Sequence, residues 1–268
     1  MPHLFVNRLR HHSIGGAPDD LRNQFKWELI NAICYLTGGV IFIAGSVMFL
    51  PKYEEWAALG CWLFVIGSFF YLFVACHDLY EVMHTTKTTK HEAKTKKTVD
   101  ALAASAYIAG GLVFIIGSYQ FLPSVELYKE GSYNFIIGSL LFIGGAVTNS
   151  VQIFESPTAE SAMYANFTAV CYVIGSTLFL SGSVPYLMSF ESDHDRIQIH
   201  RYLGVQFVLG SALFLIGGTI NVWRAFLIFQ YFLHNAKDEF QSKHTSCPAT
   251  EYQRSSMTSL PPLPATIS

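Results

Sequence analysis

Six long apolar runs dominate the pattern of this chain, at about 29–50, 57–77, 101–122, 133–151, 163–187 and 203–223. The runs are continuous rather than alternating, so they predict helices and not strands. Each is roughly 19–25 residues, close to the ~20 that carry a helix across a ~30 Å hydrocarbon core. Lipid offers no partners to exposed backbone polar groups, so a spanning chain must close its hydrogen bonds inside helices or a barrel. The pattern therefore predicts an all-α integral membrane protein with six transmembrane helices. The segment before the first run is polar, with Arg8, Arg10, Arg22 and Lys26. The first run is too long for the apolar part of a cleavable signal, so it is expected to stay as an anchor.

The runs repeat one another. GGVIFIAGSVMFLP at 38–51 aligns with GGLVFIIGSYQFLP at 110–123 and GSTLFLSGSVPYL at 175–187. The even-numbered runs align in the same way, at 60–70, 131–141 and 203–213. Phe-x-x-Gly-Ser occurs six times, at 42–46, 64–68, 114–118, 135–139, 179–183 and 207–211. The chain reads as three tandem two-helix hairpins. A two-crossing unit returns to its starting side, so the copies share one topology, and such parallel repeats are related by an axis along the membrane normal. A pseudo-threefold ring of hairpins is the expected arrangement, and a row is the other. Segment boundaries follow: an N-terminal segment 1–26, hairpins 27–83, 99–154 and 155–235, a basic link 84–98, and a tail 236–268.

Packing explains the motif. Of the 20 glycines, 18 lie in or at the edge of the spans. Several recur at seven-residue spacing, as in Gly38 and Gly45, or Gly110 and Gly117. Seven residues is about two helical turns, which puts each pair on one face. Membrane helices associate through close approach at small residues and through polar groups reaching across. The expected docking residues are Gly45 and Ser46, Gly67 and Ser68, Gly117 and Ser118, Gly138 and Ser139, Gly182 and Ser183, and Gly210 and Ser211. Each hydroxyl can also bond back to the i−4 carbonyl of its own helix. The phenylalanine three residues before each glycine is expected to fill the space beside the groove. In an antiparallel hairpin Phe42 and Phe64 fall side by side, ~11–12 Å below the surface at ~1.5 Å per residue. The near-seven period favours left-handed crossings.

The unit Gly-Gly-x-x-Phe-x-x-Gly-Ser-x-x-Phe-Leu-Pro, followed by a short loop and Phe-x-x-Gly-Ser, resembles the YrhK-like membrane domain. Residues Gly38 to Pro51 with Leu63 to Ser68, and Gly110 to Pro123 with Phe135 to Ser139, carry the resemblance. The third copy departs from it, with Gly175-Ser176 and Pro185-Tyr186-Leu187. The resemblance implies a membrane domain without an established biochemical activity. It brings no catalytic residue, because the motif contains none.

Charge adds orientation. Hydrophobic residues make up 51% of the chain and charged ones 13%, with 13 of the 17 lysines and arginines on the side that holds both termini. Lysine and arginine accumulate on the cytoplasmic side, so both termini are expected there. The richest segment is the 84–98 link, with five lysines. It is a solvated topology determinant, or a surface for anionic lipid head groups.

Candidate chemistry is sparse. The repeat aligns Asp78, Asn149 and Asn221 near the cytoplasmic ends of the even helices. They form a polar ring at a pore mouth, or they cap helices in the head-group layer. Glu28, Asn31 and Asp100 begin odd helices, where carboxylates suit the N-terminal dipole. His77, Glu81 and His84 share a face at a spacing that zinc could use, but a solvated turn at the membrane edge is the expected role and no metal is assigned there. The stretch ESDHDRIQIH at 191–200 reads as an acidic outer loop. Cys34, Cys61, Cys76, Cys171 and Cys247 show no paired spacing, and the Asn166-Phe-Thr168 sequon lies inside a span. No Asp, Glu, Lys, Arg or His falls mid-span, where ion pathways usually place them. No nucleophile motif, phosphate loop, cofactor motif or metal motif is present, so an enzyme is not expected. The Ser/Thr/Pro-rich tail predicts disorder. The expected role is structural, scaffolding or partner-binding, with the lipid bilayer, protein partners or further copies as contacts and no nucleic acid. The alternative is a channel or facilitator along the repeat axis for a small solute or ion.

Overall fold

A computed structural model describes residues 18–84, 91–150, 159–188 and 193–245. Six α-helices carry the chain: α1 (Pro18–Met48), α2 (Ala57–His84), α3 (His91–Gln120), α4 (Tyr128–Ser150), α5 (Ala159–Ser183) and α6 (Asp193–Thr245). Each contains a stretch long and apolar enough to cross a membrane. Much of the surface of these stretches is apolar and exposed, including Ile33, Val40, Trp62, Phe69, Ile116 and Leu140. Such a belt would be a liability in water and is the normal outer face of helices in lipid. The protein is a multi-pass membrane protein built from a tandem repeat.

Proline sets the turns. Leu50 is extended (φ −71°, ψ 144°) before Pro51, which opens a 3-10 helix (Pro51–Trp56) into α2. A residue preceding proline is pushed out of the helical region, so α1 stops there. In the third copy α5 runs directly into a 3-10 turn (Val184–Leu187) containing Pro185. Two sequence expectations change. Residues from Asp193 onward, read as an acidic loop, begin α6; carboxylates at a helix start meet the positive end of its dipole. At its other end α6 runs to Thr245, so 236–245 is helical rather than disordered. The remaining tail, the first 17 residues, and link residues 85–90 lie outside the described residues. The chain from Phe229 onward forms a second unit, and everything below concerns the first.

The repeated motif is a reciprocal lock. A Cβ added at Gly45 on α1 would lie 2.9 Å from the ring of Phe64 on α2, and one at Gly67 would strike the ring of Phe42. The same exchange joins Gly117 to Phe135 (2.7 Å), Gly138 to Phe114, Gly182 to Phe207 (3.1 Å) and Gly210 to Phe179 (2.8 Å). Each motif phenylalanine thus sits on the motif glycine of the partner helix. Within each pair the rings stack, at 5.1 Å for Phe42 and Phe64, 4.7 Å for Phe114 and Phe135, and 4.8 Å for Phe179 and Phe207. The six phenylalanines are 2% exposed or less, so the motif that permits close approach also builds the centre of the core.

The helix pairs pack on one another in turn: α2 on α3, and α4 on α5. The first and last helices also meet, with a Cβ at Gly39 3.0 Å from Leu215 and one at Gly204 2.8 Å from Leu50. In the middle, Phe64, Phe135 and Phe207 lie 5.7, 5.8 and 6.1 Å apart, a nearly equilateral triangle with one ring from each even helix. These spacings fall in the range of about 4.5–7 Å at which aromatic rings touch.

The serines take both roles open to them. Ser46, Ser118 and Ser183 donate to the carbonyls of Phe42, Phe114 and Phe179 on their own helices, at 2.7–2.8 Å. Ser46 also meets Ser211 at 2.9 Å across the α1–α6 seam. Ser68 and Ser139 are buried and make no hydrogen bond. A double-mutant cycle with Ser46→Ala and Ser211→Ala should give a coupling of about 0.6 kcal/mol, the average for interhelical hydrogen bonds in membranes. Zero coupling in thermal unfolding would mean that the pair only fills space.

Candidate functional site

The interior is organised by a seven-residue ladder that the glycine spacing alone does not reveal. Along α1 and the turn after it, Tyr35, Phe42 and Phe49 are buried; along α3 and the turn after it, Asp100, Tyr107, Phe114 and Phe121; along α5, Tyr172 and Phe179. The even helices carry Phe64, Tyr71 and Asp78; Phe135, Phe142 and Asn149; and Phe207, Phe214 and Asn221. Two-turn spacing keeps each set on one face. The ladders define layers. Phenylalanine fills the middle, tyrosine lies one step toward the ends that hold the termini, and polar residues come next.

The tyrosine layer encloses a cavity of about 30 Å³, lined by Tyr35, Tyr71, Tyr107, Tyr172, Ser176, Phe142 and Phe214. A space of this size admits one or two water molecules. Tyr35 packs on Tyr71 at 4.8 Å and on Tyr172 at 6.1 Å. Ser176 is buried, and its Oγ makes no hydrogen bond to the protein. The layer offers hydroxyls and aromatic faces, but no formal charge.

The polar layer holds the residues singled out from the sequence. Asp78 is fully buried, Asn221 is buried, and Asn149 is half-buried. Their ladder register puts them on the inward face of each even helix rather than the lipid face. Arg224, 3% exposed, is the residue that sequence reasoning passed over. It donates from Nε to Ser161 Oγ at 3.1 Å and from Nη1 to Asn221 Oδ1 at 3.2 Å. The available signal was its place one turn beyond Asn221, on the same face. Asp100 is buried in this region too, and Asn31 Nδ2 lies 2.8 Å from His77 Nδ1. Arg224, Asp78 and Asp100 are all buried, and each must be compensated internally, because removing a charge from water is expensive.

The other candidates dissolve into structure. His77 stacks on Trp27 at 5.0 Å and approaches Glu81 at 3.7 Å. The side chain of His84 lies outside the described residues. Among the described residues no three His, Cys, Asp or Glu side chains are placed to hold a metal ion. Cys34, Cys61, Cys76 and Cys171 are free thiols. Asn166 lies within α5. At the junction of the basic link, Lys97 donates to the Met83 carbonyl at 2.9 Å, which satisfies an end carbonyl of α2.

Six apolar helices in three repeated pairs define a multi-pass membrane protein of internal tandem repeats. The chain belongs to the YrhK-like protein family, whose model matches three times, at 26–83, 97–153 and 162–226. No curated protein and no solved structure gives a significant match.

Proposed function

We propose that the protein is a non-conducting, non-enzymatic membrane scaffold made of three two-helix hairpins around a pseudo-threefold axis along the membrane normal. One observation carries this reading: the Phe64, Phe135 and Phe207 rings, one from each copy, meet where such an axis runs. A scaffold of this kind offers its lipid-facing helices and its cytoplasmic surfaces to protein partners or further copies. The five lysines of the 84–98 link add attraction to anionic lipid head groups, at ~1 kcal/mol per basic residue near the surface.

The test is flux. Cation uptake into proteoliposomes should stay at the level of empty vesicles for the wild type. Asp78→Asn, Asn149→Asp and Asn221→Asp should leave it there. The channel reading is favoured by one feature, the buried polar layer below the tyrosine cavity. It requires wild-type flux above background, lowered by Asp78→Asn and raised by the two aspartates. That result would sink the scaffold reading.

Both termini are assigned to the cytoplasm, on the 13-of-17 basic asymmetry. Tags at residues 1 and 268 should be protected from protease added outside intact cells. Cleavage of either tag from outside would reverse the assignment.

A further inference from the structure

A cleft of about 700 Å³ lies at the end of the bundle where the helix pairs turn, on the far side of the phenylalanine layer from the polar layer. Its volume falls within the range of about 300–1,000 Å³ typical of small-molecule sites. All three copies contribute to it. Phe49, Phe121 and Tyr186 come from equivalent repeat positions; Phe121 lies 6.4 Å from Phe49 and 5.0 Å from Tyr186. Tyr128 stacks on Tyr186 at 6.1 Å. The walls include Leu50, Leu127, Met188 and Ile199.

The charges in the lining are uneven. Among the described residues, Glu54, Glu126 and Glu130 face one lysine, Lys129, with His200 against Tyr186 at 5.8 Å. Glu126 holds a left-handed backbone conformation (φ 56°), in a turn closed by its N–H to the Leu122 carbonyl at 3.1 Å. Aromatic faces combined with exposed carboxylates suit a weakly hydrated organic cation. Such a cation meets the ring faces and keeps its counter-charge nearby. A small inorganic cation instead demands convergent oxygen ligands.

We propose that this cleft binds an organic ammonium ion, with the aromatic rings of Tyr128 and Tyr186 as its platform, backed by the buried Phe121, and Glu54, Glu126 and Glu130 as its counter-charge. The same chemistry is presented by a soluble quaternary amine and by the head group of a choline lipid, whose chains the apolar walls would accept. The site goes beyond the scaffold reading and does not rest on it. Flux above background would end that reading and leave this one standing.

Choline is the probe, and its neutral carbon isostere 3,3-dimethylbutanol is the control. Binding is measured by calorimetry on the full chain in phosphatidylglycerol nanodiscs, which carry no ammonium head group. Choline should bind, and the isostere at least ~10-fold more weakly, because only the cation has the ring and carboxylate attraction. Glu126→Gln with Glu130→Gln should weaken choline ~5-fold or more, and Lys129→Gln should tighten it. All three side chains are exposed, so these variants should fold as the wild type does. In phosphatidylcholine nanodiscs, suppressed choline binding identifies the lipid head group as the occupant. Unchanged binding identifies the soluble amine. No choline binding in phosphatidylglycerol discs would overturn the proposal. So would isostere binding of equal strength, or a double variant with wild-type affinity.

Discussion

Gly117→Leu is expected to lower the thermal stability of the protein in detergent by several degrees, whereas Gly144→Leu leaves it unchanged or raises it. Both positions are glycines inside apolar helices, so composition does not separate them. Contacts do. A Cβ at Gly117 would lie 2.7 Å from the Phe135 ring and 3.1 Å from the Asn134 Cβ. The ring cannot swing aside, because Phe114 stacks on it at 4.7 Å, Phe121 lies at 5.0 Å and Phe207 at 5.7 Å. Leucine there must push α3 from α4, and overpacking of a filled core costs about 1–3 kcal/mol or more. At Gly144 a Cβ meets nothing within 4 Å. Leucine there faces open space, and it relieves the ~1 kcal/mol helix penalty of glycine. Equal melting temperatures for the two variants would remove the glycine–phenylalanine lock as the basis of helix pairing.

That contrast shows how far the sequence reaches. The six spans and the three copies are legible because lipid imposes length and apolarity on every crossing, and because copies of one unit repeat the same solution. The docking role of Gly45 and Gly117 is legible for the same reason. The recipient of each phenylalanine is not. In sequence Phe42 lies next to its own Gly45, and only the antiparallel pairing directs it to Gly67 instead. The two kinds of glycine also look alike in sequence. Gly144 and Gly145 are neighbours, yet Gly145 meets the Tyr107 ring at 3.1 Å and Gly144 meets nothing. A rotation of one residue around the helix, about 100°, separates a packed face from an open one.

The polar layer was harder to read for a different reason. Asp78, Asn149 and Asn221 are found by aligning the copies, because they occupy one repeat position. Arg224 breaks the repeat, with Glu81 and Gln152 at its equivalents, so alignment passes over it. A charged residue at the edge of a span also reads as the start of the cytoplasmic segment. Long arginine side chains usually reach out to the head groups. This one turns inward, to Ser161 and Asn221.

Arg224 is therefore the residue whose loss should be felt most in this layer. Arg224→Met is expected to destabilise the fold by about 2–4 kcal/mol, since hydrogen bonds from a charged group are worth about 1.5–3 kcal/mol each and their partners stay buried. Methionine replaces the apolar stem of arginine and is flexible enough to fill irregular space, so most of a loss of this size falls to the missing guanidinium rather than to an empty space. Arg224→Lys keeps the charge but loses the Nε donor that reaches Ser161 while Nη1 reaches Asn221. It should fall between methionine and the wild type, because a single ammonium cannot reproduce a planar fork. The buried carboxylate of Asp78 supplies the decisive comparison. If the guanidinium compensates negative charge in this layer, adding Asp78→Asn to Arg224→Met should restore part of the lost stability. Non-additivity of 0.5–3 kcal/mol is typical of groups that share one network. Melting of the four proteins in the same detergent reads this out. A wild-type melting temperature for Arg224→Met would mean that the arginine is a passive filler. Strict additivity with Asp78→Asn would mean that it serves Ser161 and Asn221 alone.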